Sequence, residues 1–212
     1  MNQDKKITCL FIDIGGVLLT DGWGHASRQL AAAKFGLDLP EMETRHKMTF
    51  DTYETGKLTL EEYLDRTVFY EKRTFNKQDF REFMFAQSKQ LPHMIDFITA
   101  LKNKYALKIA VVSNEGRELN TYRIKTFGLG AFVDFFISSC YVHLRKPDAD
   151  IFKLALDIAH VQPEEVIYIE DRPMFVSVAA SLGIEGIHHI SYEDTRNKLE
   201  AFGFKELIMK MA

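Results

Sequence analysis

Polar and charged side chains follow three of the short apolar runs in this sequence, at points where they could carry out chemistry. In chain order they are Asp13 after the first run, the pair Ser113 and Asn114, Lys146 before a proline, and the pair Glu170 and Asp171. A carboxylate can act as a nucleophile, and a hydroxyl or an ammonium group can hold an anion. Paired acids can bind a hard cation.

Each of these groups also has an ordinary structural interpretation. An Asp after a strand is common in turns, and a Ser or Asn at that point often caps a helix. Lys146 is by default a solvated charge, and acids favour a helix start because of the helix dipole. Taken together, in this order and all near strand ends, the groups favour one shared site.

The apolar runs themselves are predicted to be β-strands with helices between them. They lie at residues 7–13, 108–113, 135–138, 166–170 and 186–190. Nearly continuous apolar runs are typical of a parallel sheet covered on both faces. Helical periodicity falls between them, at Met94, Phe97, Ile98 and Leu101 and again at Ile151, Leu154, Ala155 and Ile158. The alternation predicts a Rossmann-like α/β fold with a doubly wound parallel sheet, in which ligands bind beyond the carboxyl ends of the strands.

The stretch between the first two strands has a helical pattern and no convincing strand. Thr59 and Glu62 form a capping box that opens a predicted helix over residues 60–70. Asn76 is predicted to cap another helix. The apolar face of that helix holds Phe80, Phe83 and Met84.

This helical stretch is predicted to be a separate subdomain. We assign residues 22–89 to an all-helical cap, inserted after the first strand of an α/β catalytic core that comprises residues 1–21 and 90–212. The expected hinges are residues 22–24 and 90–92.

Composition limits the kinds of partner. The chain has 212 residues, of which 46% are hydrophobic, and its net charge of -3 leaves no broad basic surface for a nucleic acid. Cys9 and Cys140 are the only cysteines, each in an apolar run predicted as a strand, and they make no disulfide framework or metal-binding spacing. Apolar runs are too short for a bilayer. We expect a cytoplasmic monomer or weak homodimer without membrane or nucleic-acid partners.

The four polar segments together resemble the four sequence motifs of the haloacid dehalogenase superfamily. The helical stretch lies where members of that superfamily carry a C1-type cap, and the resemblance covers nearly the whole chain. It implies a phosphatase that uses Mg²⁺ and acts on a small phosphorylated metabolite, such as a sugar phosphate.

The resemblance also implies a role for each phosphate-facing residue. Asp13 would attack phosphorus and form an aspartyl-phosphate, which divides one difficult displacement into two steps. Ser113 and Asn114, with nearby backbone N–H groups, would bind the phosphoryl oxygens. Lys146 would offset the negative charge of the phosphate and of Asp13.

The same resemblance implies a metal site. Mg²⁺ would bind the Asp13 carboxylate, the backbone carbonyl of Gly15 and the Asp171 carboxylate. Glu170 would support these ligands by orienting Asp171 or a metal-bound water.

Two positions depart from the superfamily pattern. Most phosphatases in it carry an acid–base aspartate where this chain has Gly15, so we expect hydrolysis that is slow or restricted to good leaving groups. Candidate replacements for the missing group are Asp21, His25 and Glu115, although a branch with glycine here includes proteins described as sugar-phosphate phosphatases. Phe175 stands where many relatives have Asn or Asp, and we expect it to pack inward.

Three other functions remain open at this point. A non-catalytic or regulatory phosphate-binding protein would need no acid–base group, a 2-haloacid dehalogenase would attack carbon without metal, and a phosphomutase would transfer phosphate within a sugar. The acidic pair of Glu170 and Asp171 argues for a metal and so for phosphorus. Substrate choice is expected to depend on candidate residues in the cap and beside the motifs, namely Arg28, Arg45, His46, Lys47, Tyr53, Arg145 and Arg172.

Overall fold

The computed structural model describes residues 6–205 and shows a five-stranded parallel sheet. The strands are β1 (Cys9–Ile12), β2 (Lys108–Ser113), β3 (Phe135–Ser138), β4 (Val166–Glu170) and β5 (Glu185–His188). Their order across the sheet is β3-β2-β1-β4-β5, and all neighbours are parallel. The predicted doubly wound fold is therefore confirmed. Because the strand order reverses beside β1, the expected ligand crevice lies beyond the carboxyl end of that strand.

Helices connect the strands and cover the sheet. They are α1 (His25–Phe35), α2 (Leu39–Glu54), α3 (Leu60–Thr67), α4 (Lys77–Ala86), α5 (Met94–Tyr105), α6 (Arg117–Thr126), α7 (Ser139–Val142), α8 (Asp150–Ala159), α9 (Pro173–Ser181) and α10 (Tyr192–Ala201). Among residues 6–205, none is long and apolar enough to cross a membrane.

Two hydrophobic cores lie on opposite faces of the sheet. Leu10 and Ile12 of β1 enter one core with α5, whereas Cys9 and Phe11 enter the other with α8. Successive strand residues point to opposite faces, so a strand covered on both sides must be apolar throughout. The inward face predicted for α5 is confirmed, and its four apolar residues are all buried.

The last strand begins and ends earlier than predicted. The sequence predicts residues 186–190, but β5 spans Glu185–His188. Its ladder with β4 ends where Glu170 lies opposite His188, since β4 itself ends there. Ile190 consequently lies beyond the sheet and is exposed.

Cys140 is not in a strand, contrary to the sequence-based prediction. It lies in the short helix α7, buried and with a free thiol. The pairing of β3 with β2 ends at Ser138 opposite Ser113, where β2 also ends. With no further neighbour to pair with, the chain turns into a helix.

Helix α8 buries a different face from the predicted one. The buried residues are Ile151, Phe152, Ala155, Leu156 and Ala159. Ile158, which was predicted to face inward, is exposed, and Leu154 is only half-buried. The helix is apolar on most sides, so its periodicity is compatible with two overlapping buried faces that differ by a rotation of about one residue. Contact with the sheet selects between these two faces.

Helices α1 to α4 pack around a third hydrophobic core, which includes Trp23, Tyr63 and Phe80. Residues 13–107 are all described, and no strand forms among them. The asparagine cap is present, since Asn76 Oδ1 accepts a hydrogen bond from the Asp79 N–H at 2.8 Å. That these helices close over the site as a cap stays a prediction.

The capping box of α3 is also present, but the helix is shorter than predicted. Thr59 Oγ1 accepts from the Glu62 N–H at 3.2 Å, and Glu62 accepts from the Thr59 N–H at 2.8 Å. The helix ends at Thr67, because the next two N–H groups both turn back to the carbonyl of Leu64.

A buried arginine of α6 joins the two connections between the sheet and helices α1 to α4. The connections run side by side, and the Thr20 N–H donates to Lys89 O at 2.8 Å. Arg123 donates to Thr20 O and to Ser88 Oγ, each at 3.0 Å. Its third partner is the buried carboxylate of Glu115. Gly22 packs so closely on this guanidinium that a Cβ atom there would lie 1.7 Å from Arg123 Nη2.

This ion pair predicts a large stability loss for Arg123→Met. The substitution leaves the Glu115 carboxyl buried without its partner, and we expect the free energy of unfolding to fall by about 3 kcal/mol. That is the lower end for a broken buried pair, because burial already raises the pKa of Glu115 to about 7 and the carboxyl can take up a proton. Urea unfolding measures the loss, and Glu115→Gln combined with Arg123→Met should lose less than the two single changes add up to.

Candidate active site

The side chains predicted to do chemistry meet at the carboxyl end of the sheet. Asp13 directly follows β1, and its N–H donates to Ile169 O of β4 at 3.0 Å. Ser113 ends β2 and Asp171 follows β4. Because β2 and β4 are the two neighbours of β1, these residues lie beside Asp13. A cavity of about 400 Å³ opens here, and its lining includes Asp13, Gly15, Ser113, Asn114 and Lys146.

Lys146 is a buried cation between two carboxylates. Its Nζ lies 3.0 Å from Asp13 Oδ1 and 2.6 Å from Glu170 Oε2. It also donates to the hydroxyl of Tyr168 at 3.0 Å. Burial by itself would lower the pKa of Lys146, but the negative charges of Asp13 and Glu170 outweigh burial and raise it. The side chain is therefore a permanent positive charge at the nucleophile.

Glu170 holds Lys146 in place, and it also interacts with the side chain of Asp171, so its predicted role of orienting Asp171 or a water stays a prediction. Its Oε2 accepts from Lys146 Nζ at 2.6 Å and from the Tyr168 hydroxyl, and its Oε1 accepts from the Arg172 N–H at 3.0 Å. Tyr168 was not predicted as part of the site. The spacing of Tyr168 from Glu170 could have indicated it, because residues two apart in a strand point to the same face of the sheet.

Asn114 forms hydrogen bonds with the main chain of Lys146, and its predicted contact with phosphate stays a prediction. Its side-chain amide donates to Lys146 O and its side-chain carbonyl accepts from the Lys146 N–H, both at 2.8 Å. This reciprocal pair fixes the main chain at Lys146. Asn114 lines the cavity, but its hydrogen-bonding groups serve to position the lysine.

Three carboxylates with one lysine leave an excess of negative charge. Oxygens of Asp13, Glu170 and Asp171 lie within 4.8 Å of one another. Burial and then the Glu170 charge raise the pKa of Asp13 to about 6, although Lys146 opposes them. Burial likewise raises the pKa of Asp171. This oxygen-rich, electron-rich cluster is what a hard divalent cation binds.

Asp171 supplies an uncommitted ligand atom for such a cation. Its Oδ1 is buried and has no hydrogen-bond partner within the described part of the chain. The carboxylate packs against Gly16, where φ is +75° and a Cβ atom would lie 2.4 Å from Asp171 Oδ2. Both oxygens of Glu170 are already engaged, so Asp13 and Asp171 are the acids that fit a metal ion here.

The three candidates for the missing acid–base group lie in different surroundings. The Asp21 side chain lines the cavity beside Gly15. His25 also borders the cavity, but its side chain is 61% exposed and pairs with Glu43 at 3.0 Å. Glu115 is buried and bonded to Arg123.

Phe175 packs inward, as expected for this departure from the superfamily pattern. It is buried, and its ring centroid lies 5.1 Å from Lys146 Nζ. A cation close to an aromatic ring is attracted by the ring electrons. Phe175 thus helps to enclose the lysine.

Helices α1 and α2 form the opposite wall of the cavity. Of the predicted specificity residues, Arg28, His46, Tyr53, Arg145 and Arg172 line it, whereas Arg45 and Lys47 do not. Trp23, Phe50 and Glu54 also line it and were not predicted, because no local pattern marks them. Burial lowers the pKa of His46 to about 4, so its imidazole is neutral at physiological pH.

Arg145 ties this wall to the catalytic edge of the sheet. It precedes Lys146 and pairs with Asp51 at 2.7 Å and with Glu54 at 2.6 Å, both on α2. The position of α2 is thereby linked to the segment that carries the lysine.

A family model of haloacid dehalogenase-like hydrolases matches residues 7–183. The chain belongs to this family. The membership predicted from the four motifs is therefore confirmed, and it makes the protein one of a family of hydrolases.

Two relatives have names that describe phosphate ester hydrolysis. Flavin mononucleotide hydrolase 1 of Arabidopsis thaliana is 24% identical over 212 residues, which are all of this chain and 84% of that protein. A phosphorylated carbohydrates phosphatase of Thermotoga maritima is 28% identical over 147 residues, 68% of this chain and 63% of that protein. The name of the Arabidopsis protein refers to the chloroplast, so a cytoplasmic location for this chain stays a prediction.

A solved structure supports the fold assignment. A haloacid dehalogenase family enzyme of Bacteroides thetaiotaomicron, solved with magnesium and inorganic phosphate, superposes with a TM-score of 0.74 at 21% identity. The match covers 91% of this chain and 98% of that one. At this identity the similarity establishes the shared fold.

The raised pKa of Asp13 predicts that Asp13→Asn stabilises the metal-free protein at neutral pH. Between the ordinary pKa of 3.8 and the folded value of about 6, the folded state holds the proton more tightly, so stability falls as pH rises through this window. Asparagine does not ionise. In chelator at pH 7.5 we expect a gain of about 1–3 kcal/mol, or about 2–4 °C in melting temperature for each kcal/mol.

The gain should shrink at pH 4, where the Asp13 carboxyl is protonated in the folded protein. Asp157→Asn on the exposed face of α8 is the matched control for loss of one negative charge. A lower melting temperature for Asp13→Asn at pH 7.5 would contradict the assigned electrostatics.

Proposed function

We propose that this protein is a magnesium-dependent phosphatase that hydrolyses small phosphomonoesters through a phosphorylated Asp13. The observation that carries the proposal is the buried Asp13 at the switch point of the sheet. The Lys146 ammonium lies 3.0 Å away, and the Asp171 carboxylate beside it has a buried Oδ1 without a hydrogen-bond partner in the described residues. A nucleophile, a fixed cation and a cation-binding acid are the groups that phosphoryl transfer from an ester requires.

Asp13 attacks phosphorus in this proposal. With a pKa of about 6 its carboxyl is mostly ionised at neutral pH, as a nucleophile must be. Lys146 holds one carboxylate oxygen and offsets the charge of the incoming phosphoryl group. Ser113 lines the same cavity as Asp13, and in this proposal its hydroxyl donates to a phosphoryl oxygen once substrate is bound.

Mg²⁺ would be held by the carboxylates of Asp13 and Asp171 and by the carbonyl of Gly15. When bound, the ion would polarise a phosphoryl oxygen and reduce repulsion between the phosphate and Asp13. Glu170 keeps Lys146 in position and, on this proposal, does not bind the ion.

The cavity supports a small substrate. Its volume of about 400 Å³ is in the range of small-molecule sites, and much of its lining is charged or polar. Arg28, Arg145 and Arg172 on its wall are each paired with an acid, and such polar pairs suit a hydroxyl-rich metabolite such as a sugar phosphate. The names of the Arabidopsis and Thermotoga relatives support this class of substrate.

The alternatives make different use of the same residues. A dehalogenase would have no use for the uncommitted Asp171 beside Asp13, so the carboxylate cluster favours phosphorus over carbon. A regulatory phosphate-binding protein is favoured by Gly15 alone and would bind phosphate without turnover. A phosphomutase would transfer the group to a second sugar hydroxyl and release no phosphate.

The first test is phosphate release from a panel of sugar phosphates and p-nitrophenyl phosphate, with Mg²⁺ and with chelator. We expect turnover that requires Mg²⁺ and that falls by more than about 1,000-fold in Asp13→Asn, because removing a nucleophile leaves only binding and electrostatics. Circular dichroism of the variant controls for folding. Binding of phosphate without turnover on any ester would instead support a binding protein.

A second test separates the metal-binding acid from the lysine-holding acid. Asp171→Ala should weaken Mg²⁺ binding by at least about 10-fold, because a charged ligand is lost. Glu170→Gln should change Mg²⁺ affinity much less and lower kcat, because it releases Lys146. Isothermal titration with Mg²⁺ gives the affinities, and the reverse order would contradict the proposed ligands.

A further inference from the structure

Position 15 is where the acid–base carboxyl is missing, and the structure brings another carboxylate to the same place. We propose that Asp21 is the catalytic acid–base residue of this site. The inference rests on the proposed phosphatase function and removes the reason to expect turnover restricted to good leaving groups, since that expectation depended on Gly15 alone.

The Asp21 side chain lies next to the position that a residue-15 side chain would take. A Cβ atom built on Gly15 would lie 3.4 Å from Asp21 Oδ1 and 3.7 Å from Asp21 Cα. Both residues line the cavity that contains Asp13. An aspartate eight positions along the chain from the nucleophile is thus a direct neighbour of the residue two positions along.

A close-packed turn holds Asp21 there. Gly24 lies against the carboxylate, and a Cβ atom on it would be 2.0 Å from Asp21 Oδ2. Any larger residue at position 24 would displace the Asp21 side chain. Gly15 and Gly24 therefore leave room for the same carboxylate, one on each side.

Asp21 also has a cationic neighbour from the other side of the site. Arg172 Nη2 lies 3.4 Å from Asp21 Oδ1, and the Arg172 N–H is bonded to Glu170 Oε1. Arg172 lines the cavity as well. The arginine orients the carboxylate from the β4 loop that also carries Asp171.

The other two candidates are less suited to proton transfer. The Glu115 carboxylate is committed to Arg123 in a pair that is almost fully buried. His25 points to Glu43 on α2 and is largely exposed. Asp21 is about half-exposed, with 52% of its side-chain surface accessible, so the water that attacks in the second step can reach it.

The chemistry balances with Asp21 in this role. In the first step an Asp13 oxygen bonds to phosphorus, the P–O bond to the leaving group breaks, and the leaving oxygen takes the proton of the Asp21 carboxyl. In the second step the Asp21 carboxylate removes a proton from water, whose oxygen bonds to phosphorus. The Asp13–phosphorus bond breaks, which releases phosphate and restores both side chains.

The experiment measures phosphoenzyme formation by rapid quench with two esters in the presence of Mg²⁺. p-Nitrophenolate leaves with little need of a proton, whereas the alkoxide of a sugar 6-phosphate needs one. We expect Asp21→Asn to slow formation from the sugar ester by about 100- to 10,000-fold, the usual contribution of general acid catalysis. Formation from p-nitrophenyl phosphate should slow by less than about 10-fold.

The second half of the reaction gives an independent readout. With p-nitrophenyl phosphate, Asp21→Asn should release a burst of nitrophenol of about one per enzyme and then accumulate phosphoenzyme, because water is no longer activated. If Asp21 had only a structural role, the substitution would lower the rates of both steps alike and give no burst. Asp157→Asn is the matched control and should behave as wild type.

Relocating the carboxyl is the most direct test. In the Asp21→Ala protein, adding Gly15→Asp should raise the rate on the sugar ester at least about 10-fold. A gain of this size is within the usual contribution of acid–base catalysis. In the wild-type protein the same Gly15→Asp change should give no comparable gain, since Asp21 already supplies the acid–base group.

The outcomes separate this inference from the proposed function. Wild-type turnover that Asp21→Asn leaves unchanged, or lowers equally for both esters without a burst, would overturn the role of Asp21 and leave the phosphatase assignment standing. A wild-type protein with no turnover that depends on Mg²⁺ and Asp13 would overturn both.

Discussion

The buried ammonium group of Lys146 is the interaction on which the catalytic edge of the sheet depends. Without it, Asp13 and Glu170 would be two buried carboxylates close to each other, and like charges repel strongly where they are buried. A buried lysine is itself unfavourable unless acids surround it. Each buried charge is therefore stabilised by the others. The reciprocal hydrogen bonds of Asn114 fix the main chain of Lys146, from which the side chain extends to the two acids.

This charge cluster contains more negative than positive charge, which suits it to bind a hard cation. One lysine does not neutralise three carboxylates, and the pKa of Asp13 and that of Asp171 are both raised in consequence of their burial and shared charge. A protein optimised only for stability would have replaced one acid with an apolar residue. The remaining charge is a reserve of binding energy for a cation and for the phosphoryl group that accompanies it.

Helices α1 to α4 are connected to this cluster through a small number of arginines. Arg123 donates hydrogen bonds to both connecting segments. Arg145, the residue before Lys146, pairs with Glu54 of α2. Asp21 lies on the first connecting segment, immediately after Thr20. A shift of these helices would therefore act on the segment of Lys146 and on Asp21 together.

The sequence by itself determined the features that depend on neighbours in the chain. Continuous apolar runs predicted the strands, the Thr59 and Asn76 caps predicted helix starts, and polar residues at strand ends predicted where the site would lie, because parallel strands bring their carboxyl ends to one edge. Only the tertiary structure decided the rest. The partners of Glu170 and Asn114, the buried face of α8 and the closeness of Asp21 to Gly15 depend on packing between segments far apart in the chain, and no local spacing records which segment will supply the neighbour.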